Sequence, residues 1–139
     1  MADIGSDHGY LPVALLRRGR ITAAVAGEVA LTPFRAAERC VRENDLQHAI
    51  SVRLASGLAA IEAQDRIDAI SLCGMGGETI RDILDAGKDR LNGTERLILQ
   101  PNGGEQPLRQ WLMENGYCIL CEEVLRENGF YYEIIVAER

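Results

Sequence analysis

Apolar residues along this chain alternate between short runs and helical spacings, and the alternation is nearly regular. Residues 1–4 read as the end of a strand and residues 11–18 as a helix. Residues 21–28 form an apolar run of strand length. Thr32 then offers an N-cap oxygen and Pro33 suits a first helical position, which predicts a helix from there to about Asn44. Residues 50–54 alternate with the period of two of a strand, and 57–63 read as a short helix. A continuous apolar strand follows at 67–73, then a helix at 78–86 closed by Gly87. A strand at 96–100 ends at Pro101, and a helix at 107–114 is stopped by Gly116. Residues 117–125 and 130–137 are both strand-like, and the Asn128-Gly129 between them is a hairpin signal, since both residues tolerate positive φ.

The chain therefore predicts five strand–helix units, a sixth strand and its hairpin partner. Strands alternating with helices imply a parallel sheet covered on both faces. A terminal antiparallel strand added to such a sheet is the variation found in class I methyltransferases that use S-adenosylmethionine (SAM). The expected fold is thus Rossmann-like α/β, a seven-stranded, mostly parallel sheet with a C-terminal antiparallel hairpin. At 139 residues, it is expected to be a single core domain.

Ligands of such sheets bind outside the carboxyl ends of the strands, so the turns there carry the candidate chemistry. After the first strand comes Asp3-Ile4-Gly5-Ser6-Asp7-His8-Gly9-Tyr10. Gly5 and Gly9 permit a sharp turn into the helix. Asp7 stands at the second glycine position of the dinucleotide fingerprint G-x-G-x-x-G. A carboxylate there repels a pyrophosphate and favours a cation, such as the amino group or sulfonium of SAM. The simpler alternative is a helix-capping turn with Asp7 facing the helix dipole. Glu28, at the end of the second strand, is placed to accept the two ribose hydroxyls. Ser56-Gly57 ends the third strand, with a hydroxyl where many methyltransferases present a carboxylate to adenine. Gly74-Met75-Gly76-Gly77 follows the fourth. Three glycines in four residues weaken a loop unless its backbone needs unusual angles or close approach to a ligand. Gln100-Pro101-Asn102 ends the fifth strand with two amides.

Taken together, these blocks resemble the TrmK family of bacterial tRNA (adenine-22-N1)-methyltransferases. The matching segments are 2–12, Ala26-Gly27-Glu28, Gly74-Met75-Gly76-Gly77 and 97–102, with Arg109-Gln110-Trp111-Leu112 and Tyr132-Glu133-Ile134. The resemblance implies SAM as methyl donor and N1 of an adenine in the tRNA D-arm as acceptor. It implies cofactor binding by Asp3, Gly5, Ser6, Asp7, His8, Gly9, Tyr10, Glu28, Ser56, Gly57, Gly74, Met75 and Gly76. Asp7, His8 and Asn102 are the candidates for catalytic contact. The family usually has Gly-Asp where this chain has Ala55-Ser56. Relatives also carry a helical segment ahead of the first strand and a helical, coiled-coil-like C-terminal domain thought to grip tRNA. The chain is accordingly expected to bind tRNA with help from such flanking segments.

The net charge of −6 argues against a free-standing nucleic-acid binder, which needs clustered Lys and Arg. The sequence offers no membrane-spanning stretch and no signal peptide, so the expected location is the cytoplasm. Cys118 and Cys121 form a C-x-x-C motif. On a strand, positions three apart point to opposite faces, so no metal site is expected, and the cysteines are read as small buried or half-buried side chains. Two rival functions remain at this level. An NAD(P)-binding module is opposed by the missing fingerprint and the terminal hairpin, and NAD against SAM binding discriminates it. A non-catalytic domain of the same fold would show no methyl transfer to tRNA.

Overall fold

The structure is a computed structural model that describes residues 1–139. The chain divides into two compact units, Met1–Ile67 and Asp68–Arg139.

In the first unit three parallel strands lie in the order β3-β2-β1. They are β1 (Ala2–Ile4), β2 (Ala24–Glu28) and β3 (Ile50–Leu54). Every residue of β1 and β2 is buried, as an apolar run covered on both faces requires. Helices α1 (Tyr10–Arg17) and α2 (Leu31–Glu43) pack on the sheet. Val13, Ala24, Ala26, Val41 and Ile50 form the core, with Leu16, Cys40 and Leu46 at its margin. Ala37 and Val41, four residues apart, put the apolar stripe of α2 inward. Gly27 must lack a side chain: a Cβ there would sit 2.8 Å from Ala60 Cβ and 3.3 Å from Ile4 Cδ1.

In the second unit the order is β4-β5-β7-β6. Strands β4 (Ala69–Met75) and β5 (Arg96–Pro101) are parallel. Strand β7 (Phe130–Glu138) runs antiparallel to β5, and β6 (Cys118–Glu127) pairs with β7. Helices α3 (Gly77–Ala86) and α4 (Glu105–Glu114) complete it. Leu72, Ile80, Leu84, Leu99, Leu108 and Ile135 are fully buried. The Trp111 indole N–H donates to Asp85 Oδ1 at 2.8 Å and ties α4 to α3. Arg109 bridges Glu122 and Glu133, fastening the hairpin to α4. Asn128 and Gly129 have φ of 51° and 80°, the two positive angles of the tight hairpin turn.

Four sequence expectations are corrected. Helix α2 begins at Leu31 with Ala30 as its cap and no side-chain cap bond, so Thr32 and Pro33 lie inside its first turn. Strand β2 begins at Ala24 rather than at Ile21. No α-helix follows β3. Two 3-10 turns, Gly57–Ala60 and Ala63–Asp65, stand in its place. Arg53 sets them: its guanidinium donates to Asp65 Oδ2 at 2.6 Å, Asp65 Oδ1 at 2.9 Å and the Ala60 carbonyl at 2.7 Å. Finally, a bulge between Ile119 and Cys121 shifts the register of β6, placing Cys118 opposite Glu138 and Cys121 opposite Val136. Those partners are two apart on β7, so the two cysteines share one face. Both are exposed, while Cys40 and Cys73 are half-buried.

Candidate functional site

The residues singled out from the sequence fall into two groups of strand-end loops, one in each unit.

In the first, the loop after β1 folds against the end of β2. The Gly5 and Ser6 amides both donate to the Gly27 carbonyl, at 3.0 and 3.2 Å. Gly5 has φ 72° and Gly9 has φ 71°, angles that favour glycine. The Ser6 hydroxyl donates to Asp3 Oδ2 at 2.7 Å, and both residues are buried. Asp7 also has positive φ, 58°. Its amide donates to Glu28 Oε1. Its side chain is 74% exposed, with Oδ1 3.1 Å from His8 Nδ1. Helix α1 takes Gly9 as its cap and has no side-chain cap bond, so Asp7 does not serve as the helix cap. The His8 imidazole stacks on the exposed Tyr10 ring at 5.1 Å and 9°.

Glu28 is only 6% exposed. Burial is the main cause that pushes its carboxyl above the usual carboxylate range. The Asp7 amide opposes this, the Asp7 and Asp3 carboxylates add to it, and His8 opposes it. Only Oε1 is engaged. No buried side-chain oxygen or nitrogen lacks a partner, so Oε2 faces accessible space as a free acceptor. The Ala55 amide donates to the Glu28 carbonyl at 2.8 Å, which brings the next loop alongside. There Ser56 is exposed, caps nothing with its hydroxyl and leads into Gly57 at φ 52°. Val29 and Leu54, beside Glu28, are exposed apolar residues that the sequence reading passed over. The available signal was an apolar residue directly after a strand-end acid.

The second group is stapled by Gln100. Its Oε1 accepts the Gly74 amide at 2.8 Å, and its Nε2 donates to Asn102 Oδ1 at 2.8 Å. The Asn102 amide donates to the Met75 carbonyl at 2.7 Å. Gln100 therefore positions the loops, while Asn102 is exposed and keeps its side-chain N–H group unengaged. The three glycines have different grounds. Gly74 has φ 74° with nothing near its missing Cβ. Gly77 is forced by packing, since a Cβ there would lie 2.1 Å from the Gly104 carbonyl oxygen. Gly76 has ordinary angles, φ −59° and ψ 147°. A Cβ on it would meet only Thr79 Oγ1, at 3.9 Å. Nothing in the fold requires glycine at Gly76.

The first group gathers Asp3, Asp7 and Glu28 where a dinucleotide fold would receive phosphate. Such a loop repels a pyrophosphate and accepts hydroxyls or a cation. Among known proteins, a family model described as tRNA (adenine(22)-N(1))-methyltransferase matches residues 1–139. The tRNA (adenine(22)-N(1))-methyltransferase of Bacillus subtilis is 47% identical over 138 residues, covering 99% of this chain and 58% of that protein. The crystal structure of that B. subtilis enzyme matches with a TM-score of 0.96. Streptococcus pneumoniae Sp1610 in complex with S-adenosyl-L-methionine is 48% identical, with a TM-score of 0.96 over 99% of this chain and 64% of that one. Mycoplasma capricolum TrmK with S-adenosyl-homocysteine is 28% identical, with a TM-score of 0.87 over 99% of this chain and 60% of that one. These matches agree with the Rossmann-like, seven-stranded, mostly parallel sheet and antiparallel hairpin expected from the sequence. The chain spans about three fifths of the length of the relatives it matches.

Proposed function

This chain belongs to the tRNA (adenine(22)-N(1))-methyltransferase family, and we propose on that footing that it binds SAM and transfers its methyl group to N1 of an adenine in tRNA. The observation that carries the cofactor reading is the Glu28 carboxylate: buried, held by the Asp7 amide at one oxygen and free at the other. That anionic acceptor suits a ribose diol and a cationic sulfur compound, and it is unsuited to pyrophosphate. SAM supplies a methyl group on a sulfonium, which passes to the in-plane lone pair of adenine N1 while the carbon–sulfur electron pair returns to sulfur.

The attacking nitrogen bears no proton, so the reaction requires no general base. The chain's own part is positioning and charge placement. Glu28 holds the ribose. The Gly5–Tyr10 turn wraps the methionyl end, with the exposed carboxylate of Asp7 toward positive charge. Ser56, Gly57 and Val29 border the adenine. In the second unit taken by itself, Met75, Gly76 and the free amide of Asn102 offer an apolar contact, an open backbone and a hydrogen-bond donor suited to a base. His8, stacked on Tyr10, is a packing surface. The exposed carboxylate of Asp7 favours the positive charge that SAM carries on sulfur. Since adenine N1 is engaged in base pairing within a duplex, the target is read unpaired or flipped out.

The Bacillus subtilis relative is named for action on tRNA, and for this chain that activity is part of the proposal. So is a cytoplasmic location, which follows from a tRNA substrate. No helix is long and apolar enough to cross a membrane. Calorimetry with SAM and with NAD tests the cofactor reading: heat with SAM and none with NAD is expected, and the reverse overturns it.

A further inference from the structure

The charge of this protein is unevenly placed. Residues 1–67 contain eight arginines and eight carboxylates, whereas residues 68–139 contain seven basic and thirteen acidic residues, so the second segment carries the whole net charge of −6. In the second unit most cations are neutralised locally: Arg81 by Asp82, Lys88 by Asp85, Arg96 by Glu138, and Arg109 by Glu122 and Glu133. In the first unit Arg53 is paired with Asp65. None of the other seven arginines is paired; Arg66 stands apart at the end of the second 3-10 turn, and six lie on or just beyond α1 and α2. Arg18, Arg20, Arg35, Arg39 and Arg42 make no ion pair, and Arg17 makes only a hydrogen bond to Asn44 Oδ1, at 2.8 Å. All six are exposed.

Their placement is ordered. Arg35, Arg39 and Arg42 stand at i, i+4 and i+7 of α2, one stripe opposite the buried Ala37 and Val41. The Arg17–Asn44 bond joins the last turn of α1 to the end of α2 and brings Arg17, Arg18 and Arg20 alongside. Glu38, Glu43 and Asp45 are the only carboxylates on α2 and its exit, leaving an excess of three positive charges over the two helices. Helix-dipole stabilisation accounts for basic residues in a last turn. It does not account for Arg35 in the N-terminal half of α2, where the dipole disfavours a cation.

We infer that the outer face of α2, continued by the end of α1, is the surface on which this protein receives the phosphate backbone of its RNA. The inference rests on the tRNA reading of the function and locates the contact. Guanidinium groups are planar bidentate donors matched to phosphate, and these six have no carboxylate to release before they bind it. Because the stripe starts seven residues past Glu28, RNA lying along α2 leads toward the first loop group.

The test measures binding of a tRNA transcript across a salt series for the protein, for the triple variant Arg35→Gln/Arg39→Gln/Arg42→Gln, and for the control Arg81→Gln/Arg90→Gln/Arg96→Gln. Both triples remove three positive charges, so net charge is matched and only location differs. Each phosphate contact contributes about 0.7–0.9 to the slope of log K against log salt. The α2 triple is expected to lower that slope by about 2–3, the control to leave it unchanged, and Arg35→Lys/Arg39→Lys/Arg42→Lys to restore it. Equal losses in both glutamine triples, an unaltered slope in the α2 triple, or a flat slope in the unmodified protein each overturn the inference. Methyl transfer is measured in parallel. RNA bound through the stripe but not methylated leaves the surface standing and removes the methyltransferase reading; methylation with arginine-independent binding does the opposite.

Discussion

An alanine at Gly77 and an alanine at Gly76 add the same methyl group one residue apart and are expected to do different things. At Gly77 the new Cβ lies 2.1 Å from the Gly104 oxygen and 2.6 Å from the Gly104 carbonyl carbon. Both are backbone atoms, so no side chain can rotate away. Restoring an ordinary contact moves the turn at Gly103-Gly104 by more than an ångström, which strains the Gly77–Gly103 hydrogen bond of 2.8 Å. Overpacking costs about 1–3 kcal/mol, and the bond adds about 1 kcal/mol. The helical preference of alanine returns less than about 1 kcal/mol. The net loss is about 2–3 kcal/mol, a fall in Tm of roughly 10 °C for a chain of this size. At Gly76 the angles suit alanine and the nearest atom is 3.9 Å away. The entropic gain and the poorer N-cap roughly cancel, so stability stays within about 1 kcal/mol. Thermal unfolding by circular dichroism, with methyl transfer assayed on the same samples, checks both. Gly77→Ala should unfold early, and Gly76→Ala should keep its Tm and lose turnover because the ligand or target base needs that space. A fully active Gly76→Ala, or an unshifted Tm for Gly77→Ala, refutes the reasoning.

Two further outcomes follow from the ionised groups. Burial raises the pKa of Glu28 above 4.5, so its stabilising contribution is complete below that value and is lost as pH rises through the folded pKa. Glu28→Gln should therefore be no less stable at neutral pH and should bind SAM about 1.5–3 kcal/mol more weakly; calorimetry with melting curves at pH 4 and 7 decides, and unchanged affinity would rule out the ribose role. Arg53 holds the Asp65 carboxyl below its usual 3.8, chiefly through its side-chain hydrogen bonds, so that contribution is present above 3.8 and is lost as pH falls through the folded value. Arg53→Met should cost about 2 kcal/mol in neutral urea denaturation, with the deficit shrinking toward pH 3; a loss independent of pH would assign the effect to packing alone.

What could be read from the sequence was local. The Asn128-Gly129 turn and the Gly5 and Gly9 turns are fixed by the angles those residues adopt, and the structure shows those angles. The strand–helix order followed from periodicity, because covered strands must be apolar throughout and α2 must turn Ala37 and Val41 inward. What escaped was set by partners distant in sequence. The 3-10 turns after β3 depend on Arg53 meeting Asp65, twelve residues on. The glycine at Gly77 answers to Gly104, and Gln100 is consumed in holding Gly74. The shared face of Cys118 and Cys121 comes from a bulge that leaves no mark in the motif. For the site, the acidic turn and Glu28 stood out because a carboxylate in a glycine-rich turn contradicts phosphate binding. Val29 and Leu54 did not, because exposed apolar residues are common on any surface.

The central claim is methyl transfer to a particular nitrogen. Incubating the protein with methyl-labelled SAM and an unmodified tRNA transcript, then digesting the RNA to nucleosides and to mapped fragments for mass spectrometry, tests it most directly. The account predicts label in 1-methyladenosine at adenine 22, the position that names the family, and its loss in a transcript with guanine there. Label at another base or another nitrogen, or no label from a protein that binds both SAM and tRNA, contradicts it.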